Sequence, residues 1–286
     1  MTAQITLLDG GLSTALEELG ANLNTSLWSG ELLRTHRNLI RAAHQSFVDA
    51  GAQILITSSY QITYPGCEAR GWSPEEVTDA LQESTELARF DGVKVAASVG
   101  PYGAYLADGS EYRGNYGLSV NELKDFHRDR LTILMKSNPD YLAIETIPEL
   151  TEARAILELL DESGSTIPFW ISFSCKDGSH LSSGELFSEA AELVSRAPHS
   201  MGVGINCTAP QFITPLMNST SGVEGFILYP NSGREWDAAN KKWLGDQSSA
   251  FTLEQLLEWR TAGAAIIGGC CGVGPGDIQE LKRIIE

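Results

Sequence analysis

Short apolar runs alternate along the chain with longer stretches in which apolar residues recur every three or four positions. The short runs have the length of buried strands, and the longer stretches have the period of helices that bury one face. The pattern predicts eight strands, at residues 5–11, 52–59, 93–100, 141–146, 169–175, 201–207, 225–233 and 264–271.

Helices are predicted in the intervals between these strands. Their apolar residues follow i, i+3, i+4 and i+7 spacing, which places them on one face of a helix. These residues are Ile40, Ala43 and Phe47; Val77, Ala80, Leu81 and Ser84; Ala153, Ile156, Leu157 and Leu160; Leu253, Leu256 and Leu257; and Ile278, Leu281 and Ile285. Residues 73–76 and 274–277 each place a proline near a first turn and acids beside the positive end of the helix dipole.

Eight strands that each precede a helix are typical of a (β/α)8 TIM-type barrel, in the α/β class. The chain has 286 residues, and such barrels commonly fold as one unit of about 250 residues. We therefore predict a single barrel domain over residues 1–286. A doubly wound parallel sheet is the competing architecture, and the strand count favours the barrel.

The composition narrows the function classes. Hydrophobic residues make up 42% and charged residues 20% of the chain, which is typical of a soluble globular protein. The net charge of −17 disfavours binding to nucleic acid and to anionic membranes, and no apolar segment approaches the roughly 20 residues that span a bilayer.

Five cysteines without a signal peptide favour a reducing compartment, by default the cytoplasm. We expect small-molecule substrates and either a monomer or a homodimer.

The predicted strands end in residues that suit chemistry better than packing. Examples are Asp9, Tyr60, Glu145, Asn206 and Asn231. Each has a simpler interpretation by itself, since Asp9 before two glycines is typical of a turn and Glu145 suits the start of a helix. In a barrel, however, the loops that follow the strands share the face on which active sites are found. The set therefore predicts a site at this rim.

Two cysteine-containing segments also end predicted strands. Residues 268–272 read Gly-Gly-Cys-Cys-Gly, and residues 204–208 read Gly-Ile-Asn-Cys-Thr. The glycines let the backbone leave the strand pleat, so that Cys270 and Cys271 can both face one centre. Together with Cys207 these thiols predict a catalytic zinc site with one coordination position left for a substrate. A vicinal disulfide between Cys270 and Cys271 is the alternative.

Four further residues with reactive side chains lie outside these motifs. Cys67 and Cys175 are predicted to be small buried hydrophobes or inert thiols. His127 and His180 are predicted to lie on the surface, because neither has a partner in the motifs.

Several motifs occur in the order that one enzyme family shows. They are Asp9-Gly10-Gly11, Glu145-Thr146, Gly-Ile-Asn-Cys at 204–207, Tyr-Pro-Asn-Ser-Gly at 229–233 and the double-cysteine segment at 268–272. In these features the sequence resembles the zinc-dependent homocysteine methyltransferases, whose members use betaine, cobalamin or S-methylmethionine. The resemblance covers nearly the whole chain and agrees with the barrel prediction.

The resemblance implies a role for each motif. Cys207, Cys270 and Cys271 would bind Zn²⁺ as thiolates and act in catalysis through it. Asp9 and Glu145 would hold the ammonium group of homocysteine, and backbone amides near Gly10, Cys207 and Gly269 would receive its carboxylate. Asn206 belongs to the same substrate-binding set.

The methyl donor is implied less directly. The chain ends soon after Cys271 and shows no cobalamin module, which favours the short S-methylmethionine enzymes. Trp28 and Tyr60 are candidates for an aromatic cage around a sulfonium cation, and residues 110–116 could close over the donor. S-adenosylmethionine or betaine as the donor and selenocysteine as the acceptor remain open. A non-catalytic zinc- or homocysteine-binding barrel is the alternative from another class.

Overall fold

A computed structural model of the protein describes residues 5–223, 225–233, 235–237, 242–244 and 251–285. Eight strands form one parallel sheet: β1 (Thr6–Leu7), β2 (Ile54–Ile56), β3 (Lys94–Val99), β4 (Tyr141–Ile147), β5 (Phe169–Phe173), β6 (Ser200–Asn206), β7 (Phe226–Tyr229) and β10 (Ala264–Ile267). An antiparallel pair, β8 (Glu235–Asp237) and β9 (Lys242–Leu244), lies between β7 and β10 in sequence and was not predicted.

The parallel sheet closes on itself. Its strand order is β1-β10-β7-β6-β5-β4-β3-β2, and a parallel bridge between Leu8 and Ile54 joins the two outer strands. The Asp9 amide donates to the Ile54 carbonyl at 3.0 Å beside this bridge. A doubly wound sheet would keep two open edges, so the predicted (β/α)8 barrel is confirmed and its competitor is wrong.

Twelve helices are found among the described residues. They are α1 (Leu12–Glu18), α2 (Leu32–Thr35), α3 (Arg37–Ala50), α4 (Tyr64–Glu68), α5 (Pro74–Leu87), α6 (Tyr102–Leu106), α7 (Val120–Lys136), α8 (Leu150–Ser163), α9 (Phe187–Ser195), α10 (Ile213–Asn218), α11 (Leu253–Thr261) and α12 (Pro275–Ile285). Ser73 and Glu76 form a capping box at α5, as the start signal predicted. None of these helices is both long and apolar enough to cross a bilayer.

One predicted helix face is partly wrong. On α11 the inward residues are Leu256 and Trp259, whereas Leu253 and Leu257 are 56% and 52% exposed. Leu253 and Leu257 are four residues apart and therefore share a side of the helix, but that side faces solvent.

The core has two layers. The outer layer lies between the sheet and the helices and contains most of the buried aliphatic residues. The inner layer fills the barrel with Leu8, Ile54, Ala96, Ala143, Trp170, Ile227, Tyr229 and Ile266. The Trp170 indole donates to the Tyr229 hydroxyl at 3.1 Å inside this layer. Because these side chains fill the barrel interior, a ligand site is expected at the ends of the strands and not inside the barrel.

The strands end earlier than predicted where their sequences become polar or rich in glycine. β1 stops at Leu7, β7 at Tyr229 and β10 at Ile267, and beyond these points only single backbone hydrogen bonds, such as that from the Gly268 amide to the Leu228 carbonyl, connect the chain to the sheet. The conformational freedom of glycine is not the only cause, since a Cβ at Gly10 would lie 2.5 Å from the Val273 carbonyl oxygen. Close approach of two backbones at this rim therefore also requires glycine.

Candidate active site and metal centre

The carboxyl ends of the barrel strands surround a cavity of about 910 Å³. Nine of the ten site residues predicted from the sequence line it: Asp9, Gly10, Trp28, Tyr60, Glu145, Cys207, Gly269, Cys270 and Cys271. Residues from opposite ends of the sequence therefore share one space, as expected for the C-terminal face of a barrel.

Asn206 is the exception. It is fully buried and does not line the cavity, so the structure gives no support for direct contact with a substrate. Its side-chain oxygen accepts from the Thr146 amide at 2.9 Å, and its side-chain nitrogen donates to the Thr146 hydroxyl at 2.8 Å. Asn206, on β6, thus braces the end of β4, two strands away in the sheet.

That strand, β4, contains a bulge that positions Glu145. Ile144 pairs with Ile171 and Ile147 pairs with Phe173, so β4 has one residue more than β5 across this interval. Thr146 has a φ of 62°, which is rare for a residue with a branched side chain. The hydrogen bonds to Asn206 hold this conformation, and Glu145 takes part in the cavity lining as a result.

The three cysteine sulfurs converge on one centre, all within 4.8 Å of one another. Cys207 directly follows β6 and has a φ of 45°. Cys270 and Cys271 come after β10 has ended, so they do not alternate across a pleat, as the glycine pattern predicted. The Cys270 amide donates to Pro230 at 2.8 Å, which fixes this turn against the end of β7. Such a cluster can bind a metal ion.

Cys207 and Cys270 are joined by a disulfide in this structure, and Cys271 is a free thiol. The vicinal disulfide considered as an alternative for Cys270 and Cys271 is therefore not the bond formed. Metal binding by all three sulfurs requires thiolates, so the disulfide and the three-thiolate site are two covalent states of the same residues. Burial, followed by the nearby charge of Glu145, raises the pKa of the Cys271 thiol to about 11. A cation at this centre would favour its thiolate.

Two buried carboxylates face the same cavity. Asp9 is 1% exposed; its Oδ2 accepts from the Ile56 amide at 2.8 Å, and its Oδ1 has no hydrogen-bond partner among the described residues. The Ser98 hydroxyl donates to Glu145. Burial raises the pKa of Asp9 well above its ordinary value, and burial likewise raises the pKa of Glu145 to about 7. A cationic ligand would stabilise both ionised forms.

The cavity is electronegative as a whole. Glu17 and Glu111 also line it, whereas the described lining residues include no Lys, Arg or His. Neither Glu17 nor Glu111 was singled out from the sequence, although Glu111 lies in the loop expected to cover the donor. Four carboxylates without a cationic side chain favour ligands that carry positive charge.

Aromatic rings contribute a second part of the lining. Trp28 begins a 3₁₀ turn, Trp28–Glu31, with a φ of 50°, and Tyr60 follows β2. Tyr112 and Tyr229 line the cavity too and were not predicted. Tyr112 lies in a second 3₁₀ turn, Ser110–Tyr112, so the loop at 110–116 does reach the cavity.

The predicted carboxylate-binding amides are mostly engaged within the fold. The Gly269 amide donates to the Asp9 carbonyl at 2.9 Å, and the Cys207 amide donates to Tyr229 at 3.3 Å. These two amides therefore stabilise the strand ends and are not free to bind a substrate carboxylate. The prediction named amides near Gly10, Cys207 and Gly269, and for the neighbouring amides it stays a prediction.

His127 is the clearest error among the residues outside the motifs. It is fully buried, and its Nε2 lies 2.8 Å from Glu152 while Arg130 contacts its Nδ1. Burial lowers the pKa of His127 well below its ordinary value, and Arg130 adds to the effect. His180, by contrast, lies near the surface beside Asp177, as predicted.

The two cysteines outside the cluster behave as predicted. Cys67 and Cys175 are both buried. Burial raises the pKa of the Cys67 thiol to about 11 and raises that of Cys175 as well. Both are therefore inert thiols that pack in the outer core layer.

Comparisons with known proteins agree with this geometry. The family model for homocysteine S-methyltransferase matches residues 6–285. Homocysteine S-methyltransferase 1 of Arabidopsis thaliana is 43% identical over 98% of this chain and 93% of its own length. Homocysteine S-methyltransferase YbgG of Bacillus subtilis is 42% identical over 98% of this chain and 94% of its own.

Solved structures of one bacterial enzyme are similar in fold and sequence. The metallated form of the homocysteine methyltransferase MmuM from Escherichia coli superposes with a TM-score of 0.86 at 37% identity, covering 98% of this chain and 96% of that one. The oxidised form of MmuM gives a TM-score of 0.86 at 39% identity, covering 98% and 95%. The chain therefore belongs to the homocysteine S-methyltransferase family of enzymes.

Proposed function

We propose that the protein transfers a methyl group from S-methylmethionine to the thiol of homocysteine and forms methionine from both molecules. One observation carries the proposal: three convergent cysteine sulfurs and two buried carboxylates line the same cavity. The proposal treats the whole barrel as one homocysteine-binding domain. The need for reduced thiols fits a reducing compartment such as the cytoplasm.

Zinc is the metal that this donor set fits best. Cys207, Cys270 and Cys271 supply three soft sulfur ligands and leave room for a fourth. A bound Zn²⁺ supplies the Lewis acidity that keeps a substrate thiol ionised at neutral pH. The chain's own part is to place the three sulfurs at one point, which the turn after β10 and the strained backbone at Cys207 achieve.

Asp9 and Glu145 are suited to the ammonium group of homocysteine. Asp9 offers its unpartnered Oδ1, and Glu145 is held in place by the Ser98 hydroxyl. An ammonium placed between them would remove the repulsion between the two carboxylates and lower both pKa values. The acceptor amino acid is thereby oriented with its thiol directed to the cysteine cluster.

The charge of the cavity favours a cationic donor. Carbon–sulfur bond formation at homocysteine breaks the bond between the methyl carbon and the donor sulfur, and the bonding electron pair stays with the donor. A sulfonium becomes a neutral thioether in this step, so the leaving group needs no proton. The homocysteine thiol loses its proton to solvent before the transfer, and its thiolate then needs no base at the transfer step itself. The four carboxylates that line the cavity attract the cationic donor more strongly than the neutral thioether that it becomes. The rings of Trp28 and Tyr60 offer cation–π contacts to the same donor.

The test combines metal content with methionine formation. The protein is purified under reducing conditions and given homocysteine with S-methylmethionine, S-adenosylmethionine or betaine in separate reactions, and selenocysteine replaces homocysteine in a further set. We expect about one zinc per chain and the fastest turnover with S-methylmethionine. Full activity after removal of all metal would contradict the zinc assignment. Zinc binding without turnover on any donor would favour the non-catalytic homocysteine-binding barrel.

A further inference from the structure

One wall of the cavity is formed where the loop after β2 meets the loop after β3. We call Tyr60, Gln61, Glu111 and Tyr112 the donor wall; all four line the cavity. Both loops rest on α6. The Gln61 side chain bonds to the Ala104 carbonyl, and a Cβ at Gly103 would collide with the Glu111 backbone nitrogen. The two loops are therefore held in a fixed relation.

Gln61 presents only an acceptor atom. Its side-chain nitrogen donates to the Ser26 carbonyl at 3.3 Å and to the Ala104 carbonyl at 2.7 Å. Two carbonyl partners can be satisfied only by the NH₂ group, so the orientation of the amide is determined. Gln61 is only 8% exposed, and its Oε1 is buried without a hydrogen-bond partner among the described residues. A buried unpaired acceptor costs about 1–3 kcal/mol, which a ligand N–H would recover.

Glu111 has a fixed backbone and one carboxylate oxygen without a partner. Its carbonyl accepts from the Ser174 hydroxyl at 2.8 Å. Its Oε2 is buried without a hydrogen-bond partner in the described part of the chain. Burial raises the pKa of Glu111 above its ordinary value, and the hydrogen bond from its own backbone amide and the charge of Arg113 offset this rise only in part. The loop thus brings a negative charge to the cavity that no described cationic lining residue balances.

We infer that Gln61 and Glu111 are specificity-determining residues that select a positively charged amino-acid methyl donor, with Glu111 attracting the sulfonium and Gln61 accepting from the donor ammonium. The assignment follows from the chemistry of the two groups. A trialkyl sulfonium has no N–H or O–H, so it interacts with a carboxylate through charge, whereas an ammonium has N–H groups that fit a lone acceptor. The inference rests on the proposed function, because it concerns the donor of that reaction.

The donor wall is distinct from the pair that is suited to homocysteine. Asp9 follows β1 and Glu145 lies on β4, whereas Gln61 and Glu111 lie on the loops after β2 and β3. The cavity lining therefore includes one carboxylate pair for the ammonium of homocysteine and a further carboxylate, Glu111, for the cationic donor. Loss of the charge at Glu111 should weaken donor binding and leave homocysteine binding nearly unchanged.

The experiment measures charge preference separately from turnover. Two unreactive competitors of S-methylmethionine are compared: its analogue with a trimethylammonium group in place of the dimethylsulfonium, and the uncharged tert-butyl counterpart of the same shape. Inhibition constants are determined for the reduced, zinc-loaded enzyme and for Glu111→Gln. We expect the enzyme to prefer the charged competitor, and Glu111→Gln to lower that preference by about tenfold or more.

The controls separate the possible outcomes. Glu68→Gln removes one charge from the surface of α4, outside the cavity lining, and should leave the preference within about twofold. Gln61→Met should weaken both competitors by a similar factor, since both carry the ammonium group. An unchanged KM for homocysteine shows that each variant is folded.

The inference would be overturned if Glu111→Gln had the same charge preference as the starting enzyme, or if the starting enzyme had no charge preference. Neither result would contradict the proposed methyl transfer. Unchanged binding of both competitors by Gln61→Met would overturn the assignment of Gln61. Absence of methionine formation from every sulfonium donor by the starting enzyme would instead contradict the proposed function.

Discussion

Glu145→Gln should stabilise the substrate-free protein while it impairs homocysteine binding. Glu145 is 8% exposed, and the hydroxyl groups of Ser98 and Tyr229 bond to its carboxylate. Burial raises its pKa from the ordinary value of 4.5 to about 7. Ionising Glu145 therefore costs the folded protein more free energy than it costs the unfolded chain.

The magnitude follows from the two pKa values. Between pH 4.5 and about 7 the unfolded chain releases the Glu145 proton while the folded protein retains it, so the free energy of unfolding falls as the pH rises through this interval. Above pH 7 the loss is complete, at about 3 kcal/mol. Glutamine cannot ionise. Glu145→Gln should therefore raise the free energy of unfolding by about 1 kcal/mol near pH 5 and by about 3 kcal/mol near pH 8.

Urea denaturation of the reduced, substrate-free protein at these two pH values measures the effect. The same variant should raise the KM for homocysteine at least about tenfold, because a charge-assisted bond to the ammonium is lost. Glu68→Gln removes an equal charge from an exposed site and is the control. A stability gain of the same size at both pH values, or a loss near pH 8, would refute the argument that buried charge at Glu145 destabilises the protein.

Three further variants test other parts of the site. Cys207→Ser should abolish zinc binding and methyl transfer together, and metal analysis showing full zinc occupancy would contradict the ligand assignment. Asn206→Ala removes both hydrogen bonds to Thr146. It should lower the free energy of unfolding, measured by urea denaturation, by about 2–4 kcal/mol. A loss below about 0.5 kcal/mol would show that the bulge in β4 does not depend on Asn206. Glu152→Ala removes the carboxylate that contacts buried His127 and attracts the charge of buried Arg130. It should cost about 3–5 kcal/mol by the same assay, and an unchanged urea midpoint would disprove this role.

The residues that sequence reasoning placed correctly are those whose position follows from strand ends. Asp9, Glu145 and Cys207 come from three strands, and parallel strands of a barrel all end at one face. The predicted alternation of strands and helices is therefore sufficient to predict that these three residues converge. The convergence of Cys270 and Cys271 could also be predicted from the sequence, because their flanking glycines indicate a backbone that leaves the strand pleat.

The residues that it misplaced depend on contacts across the fold. Asn206 lies in a motif beside Cys207, yet its side chain bonds to Thr146 on β4, two strands away in the sheet. His127 was predicted to lie on the surface because no motif offered it a partner, but Glu152 from the next helix forms a buried partner for it. A single sequence does not show which polar residues meet on adjacent elements, so both assignments required coordinates.

The sequence by itself determined the barrel, the rim at which the strand-end residues meet and the three cysteines that converge there, because hydrophobic period and strand-end composition are local properties. Only the tertiary structure decided which polar atoms in the cavity are unpaired. Gln61 became informative because two carbonyls from separate loops occupy its nitrogen, and Glu111 because its Oε2 has no hydrogen-bond partner among the described residues. Hydrogen-bond satisfaction depends on neighbours that are distant in the chain, and folding alone brings them together.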